Sequence, residues 1–249
     1  MTYYHRLGEI PPKRHTQFRQ PDGRLYAEEL VSSKGFSGIY SNLYHITPPT
    51  RIKGINDPVP FGSKIAEGYG LKQTHLNTNG VGVTGEDYLS ARKVLLKNKD
   101  VSMALCNPSS RKMDYYYKNA EADEVVFIHD GSGYLISQFG KLKVRSGDYV
   151  VIPRTTIYKF EWDEDPLRLL IIESVAPVET VKRYRNELGQ LLEHSPYCER
   201  DIRPPSELIT ESERGHYLMQ IKKGDMIHQY EYDQSPFDVV GWDGYYFPW

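Results

Sequence analysis

The stretch EADEVVFIHDGSG, Glu121–Gly133, holds a carboxylate in a setting that could serve a metal: Glu124 is followed after six residues by Gly131. That spacing is half of a metal-binding signature. A mononuclear iron, manganese or zinc site adds imidazoles to such a carboxylate. The positions where a His-x-His pair would precede Glu124 hold Tyr117 and Asn119, or Lys118 and Ala120. The eight histidines are His5, His15, His45, His75, His129, His194, His216 and His228, and no His-x-His or His-x3-His pair exists among them. His129, just before DGSG, reads as a turn residue. His228 and Glu231, three apart on a predicted strand, point to opposite faces. The expected metal ligands and catalytic residues in this chain are therefore none, and Glu124 reads as a structural or solvent-facing carboxylate.

Other chemistries fare no better. There is no Gly-x-Ser-x-Gly elbow and no phosphate- or dinucleotide-binding glycine loop. Cys106, in ALCNPSS, ends an apolar strand and reads as core, and with Cys198 it makes neither a CxxC knot nor a disulfide framework. The formal net charge of −2 gives no electrostatic case for nucleic acid or an acidic membrane. The tyrosine runs DYYYK and GYYF read as core filling and subunit contact. Lys13, Arg14, His15 and Arg19 read as a solvated or ion-paired loop rather than a phosphate site. No signal-peptide core and no apolar run of ~18 residues appears, so the expectation is a cytoplasmic protein.

The elements that must carry these residues are mainly strands. KLKVRSGDYVVIP (Lys141–Pro153) alternates, turns at Ser146–Asp148 and resumes as an apolar run. YKFEW (Tyr158–Trp162) puts Tyr158, Phe160 and Trp162 on one face, and LRLLIIESV (Leu167–Val175) follows as a buried strand. Thr84–Lys99 is the one predicted helix, opened by a Thr-x-x-Asp resembling a capping box. Residues 181–205 fit a short helix or a hairpin. The first hundred residues are crowded with turn signals such as QPDG, TPPT and NDPVP, which predicts extended segments wrapped around a barrel.

On these residues the chain resembles the cupins. Their signature continues from the Glu-x6-Gly half into a second half, Gly, five residues, Pro, x, Gly, two residues, His. Here Gly147 is followed after five residues by Pro153, with Tyr158 at the histidine position. The glycines would be turns and Pro153 a strand start. The fold expected is mainly β, a cupin or jelly-roll sandwich (barrel) with an extended, loop-rich N-terminal region. Aromatic bulk from Tyr158, Phe160 and Trp162 would fill the space a metal occupies elsewhere. The organisation expected is an N-terminal wrapping region over 1–95, a metal-free barrel over 96–180 and an extension over 181–249.

Longer strings, KRHTQFRQPDGRLYAEEL (Lys13–Leu30), GFSGIYSNLYHITPPT (Gly35–Thr50), GQLLEHSPYCERDIRPP (Gly189–Pro205) and SPFDVVGWDG (Ser235–Gly244), resemble the N-terminal portion of homogentisate 1,2-dioxygenases, bacterial forms especially. That resemblance implies a two-cupin, ferrous-iron enzyme of tyrosine and phenylalanine breakdown. It opens the ring of homogentisate with O2 to give maleylacetoacetate, and it assembles from trimers. In that family the two histidines and carboxylate that hold iron belong to the second cupin and the segment before it. None therefore carries over to a position here, and no iron is expected in this chain alone. The ending VVGWDGYYFPW, an apolar aromatic run, leads to the expectation of a fragment of a longer enzyme, inactive alone. The alternative is a self-contained, metal-free cupin that binds a small aromatic ligand or a partner protein.

Overall fold

The computed structural model describes residues 3–36, 38–64, 73–163, 166–187 and 190–249. The first strands are β1 (His5–Gly8), β2 (Ala27–Ser32), β3 (Tyr40–His45), β4 (Ile52–Pro60), β5 (Arg92–Lys97) and β6 (Val101–Cys106). Then come β7 (Tyr116–Asn119), β8 (Asp123–Asp130), β9 (Ser132–Ser137), β10 (Gly140–Arg145), β11 (Tyr149–Ile152), β12 (Tyr158–Trp162) and β13 (Arg168–Ser174). The last are β14 (Arg214–Lys223), β15 (Met226–Gln234) and β16 (Val239–Gly244). Among the described residues there is no α-helix, and no helix long and apolar enough to cross a membrane.

Two sheets close over one core. One runs β11-β8-β13-β6-β5; facing it are β10-β9-β12-β7, which continue through β14-β15-β4. Alternation sends Val126 and Ile128 of β8, Leu135 of β9, Phe160 of β12 and Leu169 and Ile171 of β13 into the space between. Each is at most 1% exposed, and burial of one such side chain contributes about 1.5–3 kcal/mol. This is a cupin-type β-sandwich. A second core, with Leu43, Phe139, Trp242 and Phe247, lies under the four-stranded sheet β1-β16-β3-β2, where the Trp242 Nε1–H donates to the Phe139 carbonyl at 2.8 Å. Strands from both ends of the chain thus pair in one sheet.

The predicted helix over Thr84–Lys99 does not form. The Asp87 carboxylate caps a tight turn instead, accepting from the Leu89 N–H at 2.8 Å and the Tyr115 hydroxyl at 2.7 Å. The Thr84 hydroxyl, read as a cap, donates to the Ala91 carbonyl at 2.6 Å, and the chain then enters β5. A sandwich edge needing a partner for β6 outweighs the helical propensity that Leu and Lys give KVLLK. Pro153 follows β11 rather than opening a strand: with no N–H to give the ladder, it ends it. His129 is not in a turn but is the penultimate residue of β8, because the turn is made by Gly131 at φ +112°. Among the described residues of 181–205 there are two 3-10 turns, Lys182–Tyr184 and Glu199–Asp201, and an antiparallel bridge, Arg185–Leu191, of the kind a hairpin makes, with no α-helix. The basic loop is ion-paired through Arg14, whose guanidinium meets Asp243 at 2.7 Å.

Gly133, which closes the stretch that opened the sequence analysis, is needed for space. A Cβ there would stand 2.2 Å from the Glu161 carbonyl and 2.8 Å from Trp162 Cα on β12. Gly133→Ala is expected to lower stability by about 1–3 kcal/mol, read as a fall in the thermal midpoint. An unchanged midpoint would contradict this packing.

Candidate functional site

The sandwich interior brings one carboxylate named from sequence together with residues that were not. Glu124 on β8 is 1% exposed, so it is not solvent-facing. Its Oε1 takes the Arg92 guanidinium at 2.6 Å and the Tyr117 hydroxyl at 3.1 Å, and its Oε2 takes the Tyr158 hydroxyl. Arg92, from β5, also meets Glu173 Oε1 of β13 at 3.1 Å. Glu173 Oε2 takes Lys222 Nζ of β14 at 2.6 Å and Asn119 Nδ2 at 3.3 Å. The guanidinium carbon sits 4.5 Å from the centre of the Tyr88 ring and 5.1 Å from that of Tyr117, which adds cation–π attraction.

The electrostatics follow from burial and pairing. Burial alone would raise the Glu173 carboxyl, but the charges of Arg92 and Lys222 hold it below the usual range. Burial pushes the Tyr117 and Tyr158 phenols well up, with Glu124 reinforcing the shift and Arg92 opposing it. Two cations thus face two carboxylates, and the interior is neutral. The rings fill what space remains: Tyr88 and Phe160 lie 5.3 Å apart, Tyr117 and Tyr158 5.3 Å, between centroids. The aromatic interior that suggested a ligand is packed on itself.

A ferrous ion does not fit here. The positions an imidazole would take hold Tyr117, Asn119 and Tyr158, the Glu124 oxygens are engaged, and a guanidinium already supplies the positive charge. Among the described residues no three His, Cys, Asp or Glu side chains gather as ligands. Lys118 leaves this interior altogether. Cys106 is fully buried at the end of β6, with burial raising its thiol to about 12, so it is no nucleophile at neutral pH. Above the Arg92–Glu173 pair a cleft of about 200 Å³ opens between the β5–β6 turn and the β14–β15 turn, walled by Phe61, Asn98, Lys222 and Asp225.

Sequence reasoning missed Arg92, which lay inside the predicted helix, and Lys222. Glu173 had a signal, a lone carboxylate in the apolar run LRLLIIESV.

The model of the family described as homogentisate 1,2-dioxygenase N-terminal matches residues 89–249, which include every charged member of this cluster and leave out Tyr88. The chain belongs to that family. A Saccharolobus solfataricus protein named provisionally as a dioxygenase is 39% identical over 250 residues, covering 100% of this chain and 63% of its own length. Homogentisate 1,2-dioxygenases of Rhodopseudomonas palustris strain HaA2 and Bradyrhizobium diazoefficiens are 25% and 26% identical, each over 97% of this chain and 56% of their own. The chain of this family member thus spans less than two thirds of the length of these relatives. Among solved structures, a cupin protein of Bacteroides fragilis is similar over 45% of this chain and 94% of its own, with 16% identity and a TM-score of 0.34.

Proposed function

We propose that this chain is the structural, metal-free barrel of a homogentisate 1,2-dioxygenase-type enzyme, which opens the ring of a dihydroxyphenyl acid with O2. Membership of the family supports the dioxygenase assignment. The observation that carries the structural role is Arg92: its guanidinium stands at the carboxylate where a cupin metal would be held, and Glu124 is its counter-ion. A cation fixed by protein charge braces the sandwich without the open coordination positions that O2 and a substrate hydroxyl require. In this reading residues 96–180 are most of the scaffold, 1–95 and 181–249 complete it with β4, β5, β14 and β15, and their remainder presents surfaces to the rest of a cytoplasmic homo-oligomer. Ferrous iron, with its ligands, belongs to a part of the enzyme other than these residues.

The test is direct. The 249-residue chain, purified and supplied with ferrous ion, homogentisate and O2, is expected to bind no stoichiometric iron and to consume no oxygen above the protein-free control. Homogentisate-dependent oxygen uptake at about 1 s⁻¹ or faster, the ordinary range for an enzyme, overturns the proposal.

A further inference from the structure

A second group of titratable residues lies outside the barrel and is independent of ring cleavage. Neighbours on a strand face opposite ways, so Lys118, between the inward Tyr117 and Asn119, turns away from the interior. It enters a cavity of about 50 Å³ with Ile157, Met219 and Pro236 in its wall. His45, Glu29, Asp238 and Gln234 line the same cavity, with Arg51 also in its lining.

Three of these residues are already satisfied. His45 faces Asp238 at 2.7 Å through Nδ1 and Glu29 at 3.1 Å through Nε2. Burial alone would lower its pKa, but the two carboxylates raise it to about 9, so both ring nitrogens carry protons at neutral pH. The second oxygen of Asp238 accepts from the Thr47 N–H at 2.8 Å and from its hydroxyl at 2.5 Å. Two other groups are not satisfied. The Lys118 ammonium makes no hydrogen bond or ion pair among the described residues; burial depresses its pKa and only the charge of Glu29 opposes this. Gln234 Oε1 is buried and receives no donor.

The cavity therefore presents an amine without an acceptor and an amide oxygen without a donor. His45 lies between Glu29 and Asp238 and Arg51 lies near Asp233, whereas the Lys118 ammonium has no carboxylate in contact among the described residues. A single water needs roughly 10–15 Å³ of such space, so about four heavy atoms fit. We propose that this cavity binds a small trigonal oxyanion, bicarbonate or a carboxylate of similar size, whose oxygen accepts from the Lys118 ammonium. Bicarbonate matches it further, because its hydroxyl can donate to Gln234 Oε1. The negative charge of the ligand pairs with the Lys118 ammonium and gives this part-buried amine the acceptor that the protein does not supply.

The experiment is an amide-detected NMR titration of the full chain with sodium bicarbonate and, separately, sodium formate, against sodium chloride at equal ionic strength. Saturable shifts at Lys118, Thr47 and Gln234, absent with chloride, are expected. Lys118→Met, which keeps the length of the apolar stem, is expected to weaken binding about tenfold or more, the scale of one lost charge-assisted hydrogen bond. Gln234→Leu is expected to weaken bicarbonate and leave formate unchanged if bicarbonate is the ligand; equal binding of both anions in wild type assigns the site to carboxylates. Shifts no larger than those with chloride overturn the proposal, as does unchanged affinity in Lys118→Met. Should Lys118→Met fail to fold, the wild-type titration and the Gln234→Leu comparison still decide.

Discussion

Arg92→Met is expected to destabilise the protein by about 3–5 kcal/mol, the cost of leaving a buried carboxylate without its partner. Arg92 and Glu124 have side chains 2% and 1% exposed, so the pair is desolvated in the folded protein. Glu173, 11% exposed, keeps Lys222 and suffers less. Methionine fills much of the arginine stem's volume, so the loss reports charge rather than cavity. In a chain of this size the thermal midpoint should fall by roughly 6–20 °C. Adding Glu124→Gln to Arg92→Met should recover part of the loss, since the double variant buries no unpaired charge; the single and double variants together form a mutant cycle. A fall of less than about 1 kcal/mol in Arg92→Met would remove the guanidinium from the centre of the fold, and with it the main support for a structural barrel.

His45 is expected to make stability fall as pH rises. Its folded pKa, about 9, lies above the ordinary 6.5, so the folded state holds the proton more tightly than the unfolded chain. The contribution is fully present below pH 6.5 and is lost as pH rises through about 9. At about 1.4 kcal/mol per unit it amounts to about 3 kcal/mol. Lys118, depressed by burial, titrates in the opposite sense nearby, so the diagnostic quantity is the difference between wild type and His45→Gln. Urea unfolding at intervals from pH 6 to pH 9.5 should show that difference shrinking steadily with pH. A difference independent of pH would mean that the imidazole is not held as a cation between Glu29 and Asp238. The structural reason for expecting an effect this large is position: the clamp ties β2 and β3 to the segment that leads into β16.

Some of this was legible in the residues alone. Alternation in YKFEW placed Tyr158, Phe160 and Trp162 on one face, and they are buried together in the sandwich. The turn at Ser146–Asp148 was visible because Gly147 supplies a φ of +91° that other residues resist. These are local properties, set by the two-residue period of a strand and by backbone sterics. The helix expected over Thr84–Lys99 failed for the complementary reason: a short apolar run suits either period, and only pairing with β6 decided between them.

The sequence by itself pointed to a β protein of the homogentisate dioxygenase family and put Tyr158 at one imidazole position. It left the other two as Tyr117 and Asn119 or Lys118 and Ala120; the structure chose Tyr117 and Asn119, whose side chains meet Glu124. The sequence also singled out Glu124, but it could not say what Glu124 meets. Arg92 lies 32 residues from Glu124 and 81 from Glu173, and Asp238 lies 193 from His45. Such pairs leave no periodic trace, because a charge is buried or solvated according to what the other sheet brings opposite it. Only the tertiary structure decided that the barrel interior holds a neutral ion-pair network, and that Lys118, one residue from its wall, belongs to a different cavity.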